Sequence, residues 1–163
     1  MRMFLTCLLA FVLSSHVYAQ YQKMARASSI NLSAAASYAN LGWSKQLSNK
    51  TNLAISGSYF QDEANSITSD NFSANLGLSR WLFRIGDAYI SGGVGGFVAH
   101  THAESAADTE DNDVSFGIDL RGELEFYPTW WLVLFGEVKQ MEFFTSDFLN
   151  RKFIVGGGVK IVF

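Results

Sequence analysis

The 163-residue chain is predicted to be all-β: a closed, antiparallel, up-and-down transmembrane β-barrel of eight strands. Three observations predict it. Successive segments alternate apolar and polar side chains, the two-residue period of a strand whose faces meet different surroundings. The connections between these segments alternate short and long, as barrel turns and loops do. Beyond the first 19 residues no run of 18 apolar residues occurs, so strands rather than helices would have to cross a membrane.

Residues 1–19 read as a signal peptide. Arg2 supplies the positive start, Phe4 to Leu13 the apolar stretch, and Val17-Tyr18-Ala19 a small-residue cleavage site before Gln20. The mature domain is then residues 20–163. The sole cysteine, Cys7, falls in the leader, so the mature chain has neither disulfide nor thiol chemistry. Removing Arg2 leaves 11 basic against 15 acidic residues, a net charge of −4. That balance argues against nucleic acid as a partner.

The segments justify themselves in order. Tyr21 to Ile30 is weakly patterned, broken by Gln22, Lys23 and Arg26, yet an even strand count requires a first strand there. Ser33 to Leu47 is alanine-rich and shows no clear phase. Thr51 to Gln61 sets Leu53, Ile55, Gly57 and Tyr59 against Asn52, Ala54, Ser56 and Ser58. Asn71 to Phe83 sets Phe72, Ala74, Leu76 and Leu78 against Ser73, Asn75, Gly77 and Ser79. Ala88 to His100 is glycine-rich with ambiguous faces. Val114 to Phe126 is the clearest, with Val114, Phe116, Ile118, Leu120, Gly122, Leu124 and Phe126 in one phase. Trp130 to Phe143 sets Leu132, Leu134 and Val138 against Glu137 and Lys139. Arg151 to Phe163 places Phe153, Val155, Gly157, Val159, Ile161 and Phe163 opposite Lys152, Gly156, Gly158 and Lys160.

Tight turns fall at Ser48-Asn49-Lys50, Arg84 to Asp87 and Tyr127-Pro128-Thr129, the last holding the only proline. Gln61 to Asp70, Thr101 to Asp113 and Phe144 to Asn150 read as longer polar loops.

A leader, alternating segments, this asymmetry and a closing F-I-V-G-G-G-V-K-I-V-F together resemble the small outer-membrane β-barrels, the OmpX/Ail-like and OmpA-transmembrane-domain group. The resemblance implies a porin-like Gram-negative cell-surface protein in the outer membrane, with a structural or surface-interaction role such as membrane integrity or adhesion. It implies that Gly158, Val159, Ile161 and Phe163 form a signal read by the barrel-assembly machinery. Lipid and lipopolysaccharide are the implied surroundings, and no extracellular partner is specified. Two competitors remain within the class, a lipid A-modifying enzyme and a small solute or ion channel. A secreted lipocalin-type barrel is the competitor outside it, with the opposite sidedness.

Three groups of residues are candidates for function. Trp81, Phe83, Phe126, Tyr127, Trp130 and Trp131 beside the tight turns, and Tyr59, Phe60, Phe72, Phe143 and Phe144 beside the long loops, are expected in two interfacial aromatic belts. Asp119, Arg121, Glu123, Glu125, Glu137, Lys139, Lys152 and Lys160 are expected in the lumen, paired because buried charge is costly, and plugging a bore just wide enough for side chains. The acidic stretches Asp62, Glu63, Asp70 and Glu104, Asp108, Glu110, Asp111, Asp113 contain no basic residue, which suits Ca²⁺ or Mg²⁺ bridging to lipopolysaccharide or a plain solvated surface. His100 and His102 point the same way on a strand and with Glu104 could hold zinc or supply a base. Neither Ser91 nor Ser105 sits in a recognisable nucleophile motif, so no catalytic residue is assigned. No resident cofactor is expected. The Gly92-Gly93 and Gly95-Gly96 cluster lacks the lysine of a phosphate loop and reads as strand curvature.

Overall fold

A computed structural model describes residues 27–64, 67–105, 110–146 and 150–163, without the side chains of 63–64, 67, 104–105 and 110–111. The leader expected at residues 1–19 lies outside the described residues. The strands are β1 (Ser28–Ala35), β2 (Tyr38–Gln46), β3 (Thr51–Ala64), β4 (Ile67–Ile85), β5 (Ala88–Ser105), β6 (Glu110–Phe126), β7 (Leu132–Phe143) and β8 (Arg151–Val162). Each pairs with its chain neighbours, and β1 pairs antiparallel with β8, so the sheet closes into an eight-stranded barrel with no open edge around the ring.

Both Ser28 and Phe163 lie at one end, where Ser28 N–H donates to the Phe163 carbonyl and Phe163 N–H to that of Ser28, each at 2.9 Å. This is the terminal end; it also carries the turns after β2, β4 and β6. Gly86 adopts φ 61° in the β4–β5 turn, a left-handed conformation that glycine takes without a Cβ clash. The opposite, hairpin end carries the other connections.

Several boundaries differ from the sequence expectation. Ser33 to Leu47 is not one strand but holds the Ala36-Ser37 turn of the β1–β2 hairpin. Among the described residues the first strand starts at Ser28, inside the expected Tyr21–Ile30 segment, whose residues 21–26 lie outside the described residues. Ala34-Ala35-Ala36 masked the turn, since alanine marks neither face of a strand. Similarly, the stretches expected as polar loops at Gln61–Asp70 and Thr101–Asp113 are largely strand. β3 pairs with β4 as far as Ala64↔Ile67, and β5 with β6 as far as Glu104↔Glu110. Polar residues on both faces suit a ribbon standing in water, which hides it from a search for amphipathic alternation.

Sidedness is inverted relative to a water-soluble protein. Leu32, Leu41, Ile55, Leu76, Val98, Leu120 and Val155 point outward and are half-exposed or more. Ser33, Asn40, Ser58, Asn75, Asp119, Glu137 and Lys139 point inward and are buried. The register that closes the barrel makes glycine obligatory at the seam. A Cβ on Gly158 would collide with the Leu32 carbonyl and lie 2.7 Å from Ser33 Cα, and one on Gly156 would lie 2.9 Å from the Ala34 oxygen.

Candidate functional site

The interior is built in layers. Nearest the terminal end, Lys160 on β8 donates to Glu123 (2.5 Å) and Glu125 (2.6 Å) on β6. The second Glu125 oxygen accepts from the Tyr127 hydroxyl (2.8 Å) and the Trp81 indole N–H (3.2 Å). Lys160 also lies 4.6 Å from the Phe135 ring centre, so its charge meets two carboxylates and an aromatic face. One layer up, Arg121 contacts Asp119 at 3.3 Å and Glu123 at 3.9 Å. Ser33 donates to Glu137 (2.5 Å), and Lys139 to the Asn75 side-chain oxygen (3.2 Å).

Above the polar layers sits an apolar one. Tyr38, Phe60, Phe97, Ala99, Met141, Phe143 and Ile154 form a buried cluster inside the hairpin half. Phe143 stands edge-on to Phe97 and Phe60, with ring centres 4.9 and 6.3 Å apart. Gly117 makes room for Phe97: a Cβ there would lie 2.6 Å from its ring. At the hairpin mouth Lys152 reaches past the short β1–β2 hairpin to Asp62 (3.0 Å) and the Gln61 carbonyl (3.2 Å).

Asp119, Arg121, Glu123, Glu125, Glu137, Lys139 and Lys160, expected in the lumen, all lie inside the barrel and belong to adjoining layers. Lys152 stands apart from them at the hairpin mouth. The belt residues divide. Phe83, Trp130, Trp131, Phe72 and Phe144 are exposed on the outer wall or at its rim, Tyr59 packs on Phe72 there, and Phe126 shares their outward phase. Trp81, Tyr127, Phe60 and Phe143 do not belong to the belts; they point inward. The signal for this was phase. Phe60 shares the parity of Ser56 and Ser58, Phe143 that of Glu137 and Lys139, Trp81 that of Ser79, and Tyr127 that of Glu125. Parity, and not nearness to a strand end, decides which side of the wall each of these rings takes. A bulge between Trp81 and Phe83 then lets Leu82 and Phe83 both face outward.

His100 and His102 do share the outer face of β5, and His102 Nδ1 lies 2.9 Å from the Asn112 side-chain oxygen. Among the described residues no three histidine, cysteine or acidic side chains gather as a metal site. Asp62 is paired with Lys152, and Asp70 accepts from Tyr59 (2.7 Å) and Gln61 (2.9 Å). Asp113 points into the hairpin half, away from the outward histidines. Asp108 and the side chains of Glu63, Glu104, Glu110 and Asp111 lie outside the described residues. Ser91 is buried on the inward face of β5, while His100 and His102 are on its outward face, so these residues form no nucleophile–base pair. Ser105 lies outside the described side chains. Gly158, Val159, Ile161 and Phe163 all lie on or just beyond β8, with Val159, Ile161 and Phe163 facing out.

A closed eight-stranded barrel with an apolar exterior and a polar interior is the architecture of the small outer-membrane barrels. Solved structures of that class match it over most of their length. Neisserial surface protein A (NspA) superposes with a TM-score of 0.67 at 10% identity, covering 84% of this chain and 94% of that one. The N-terminal β-barrel domain of Pseudomonas aeruginosa OprF gives 0.66 at 12% identity, covering 84% and 96%. Ail, the attachment invasion locus protein of Yersinia pestis, gives 0.57 at 16% identity, covering 86% and 100%. At such identities the likeness is one of fold. No protein-family model and no curated protein matches the sequence.

Proposed function

We propose that the chain is an integral protein of the bacterial outer membrane, with a structural or surface-interaction role and a lumen closed to bulk solute. One observation carries this reading: the wall is oily outside and hydrogen-bonded inside. Water would expel the outer face of Leu32, Leu41, Ile55, Leu76, Leu120 and Val155, whereas hydrocarbon accepts it. Closure satisfies the backbone, which hydrocarbon would otherwise leave unpaired. Cell fractionation with a heat-modifiability gel tests it. The folded protein is expected in the outer-membrane fraction, migrating differently before and after boiling. Recovery from the periplasm without detergent would refute it.

The terminal end then faces the periplasm and the β3–β4 and β5–β6 ribbons face outward. The buried aromatic cluster supports a lumen plugged in its hairpin half, because eight strands leave a bore narrow enough for side chains to close. Contact with the surroundings falls to the ribbons, whose acidic residues would meet lipopolysaccharide through Ca²⁺ or Mg²⁺. Calorimetric titration with calcium, showing heat that EDTA abolishes, tests that contact. The outward β8 residues would present the assembly signal.

A further inference from the structure

The terminal half of the lumen is hollow. A cavity of about 670 Å³ lies below the apolar cluster, inside the size range of small-ligand pockets, roughly 300–1,000 Å³. Ala27, Trp130 and Phe163 frame it at the terminal end, where Trp130 and Phe163 are well exposed. Trp81, Tyr127 and Val133 give it aromatic and aliphatic walls, and Ala54 leaves space opposite. The buried cluster above makes it a blind cup.

Its charge does not balance. Among the described residues, Asp119, Glu123 and Glu125 line it against only Arg121 and Lys160. The layer above adds Glu137 and Lys139, one of each sign, and leaves one carboxylate in excess. Lys45 and Arg80 of the same end are exposed on the outer side of the wall, and Lys50 in a turn; Arg84, paired in register with Tyr89, lies exposed at the mouth with its guanidinium 5.4 Å from the Tyr89 ring centre, and none of the four lines the cavity. Asp119 is 1% exposed, and its Oδ2 has no hydrogen-bond partner, while Oδ1 is taken by Arg121. An uncompensated carboxylate in a low-dielectric interior is costly, and a cation reduces that cost. Aromatic faces beside carboxylates are the chemistry that favours an organic cation over a hydrated inorganic one.

We infer that the cup is a binding site, open to the periplasmic side, for a small organic monocation with an apolar body, such as a quaternary amine. The apolar body covers Trp81, Tyr127 and Val133, and the positive centre offsets the excess carboxylate.

Isothermal titration of the refolded, full-length mature barrel in nonionic detergent tests this, using choline and its uncharged carbon isostere dimethylbutanol. Saturable binding of choline at one site per barrel is expected, with binding of the isostere roughly tenfold weaker or less. Asp119→Asn removes the excess charge and should weaken choline binding roughly tenfold. Ala54→Phe fills the space and should abolish it. Both variants are first checked for the folded, heat-modifiable form, and the reading rests on whichever folds. No saturable binding, equal affinity for the two probes, or choline binding that a folded variant leaves unchanged would overturn the site. None of these outcomes bears on membrane insertion, so the two readings fail separately.

Discussion

At the scale of single residues, the interior stands on a few charges that cannot be removed one at a time. Lys160 holds two buried carboxylates within 2.6 Å, and it is itself only 12% exposed. Lys160→Ala strands Glu123 and Glu125, and should destabilise the barrel by about 3–5 kcal/mol, the usual cost of breaking a buried pair from one side. Urea unfolding of the detergent-refolded protein at neutral pH measures it. Phe143 touches both Phe60 and Phe97 and is almost wholly enclosed, so Phe143→Ala should cost about 3–5 kcal/mol in the same assay. Much of this was readable in advance. Asp119, Glu123, Glu125, Glu137 and Lys139 share the parity opposite the oily residues, and parity alone sends them inside. Which of them touch was not readable, because Lys160 and Glu123 lie 37 positions apart and meet only across the lumen.

At the scale of elements, the seam between β1 and β8 is the point most exposed to substitution. Gly158→Val would drive a side chain into the backbone of Leu32 and Ser33, and the closing ladder Ser29↔Val162 to Ala34↔Gly157 could not form. The expected result is loss of the heat-modifiable form. Gly57→Val is the control: it faces outward, its Cβ would come no nearer than 3.9 Å to a neighbour, and folding should persist. Outward faces answer to the solvent instead. Leu120 lies midway along the oily side of β6, and Leu120→Arg should cost about 2–4 kcal/mol in bilayer refolding, as arginine does near a membrane midplane. A neutral result in lipid would argue against insertion.

At the scale of the whole molecule, closure and sealing are separate properties. The ring closes through backbone pairing, whereas the proposed seal is the buried cluster of side chains from five strands. Purified protein should therefore give no steady channel in planar bilayers, while a Phe60→Ala, Phe97→Ala, Phe143→Ala triple variant should conduct if it folds. Steady large channels from the unmodified protein would refute the plug. The amino-acid sequence by itself determined the wall: strand type, the number of strands and the oily and polar faces, because a two-residue period is local and each strand carries it. The tertiary structure alone decided the hairpin at Ala36-Ser37, the ribbons beyond the rim, the pairing of Lys160 with β6 and the cup beneath Phe143. These depend on the registers at which neighbouring strands pair, and above all on the register of the seam where β1 meets β8 for the closing of the ring. That register is set by contacts between residues more than a hundred positions apart, which no short stretch of sequence encodes.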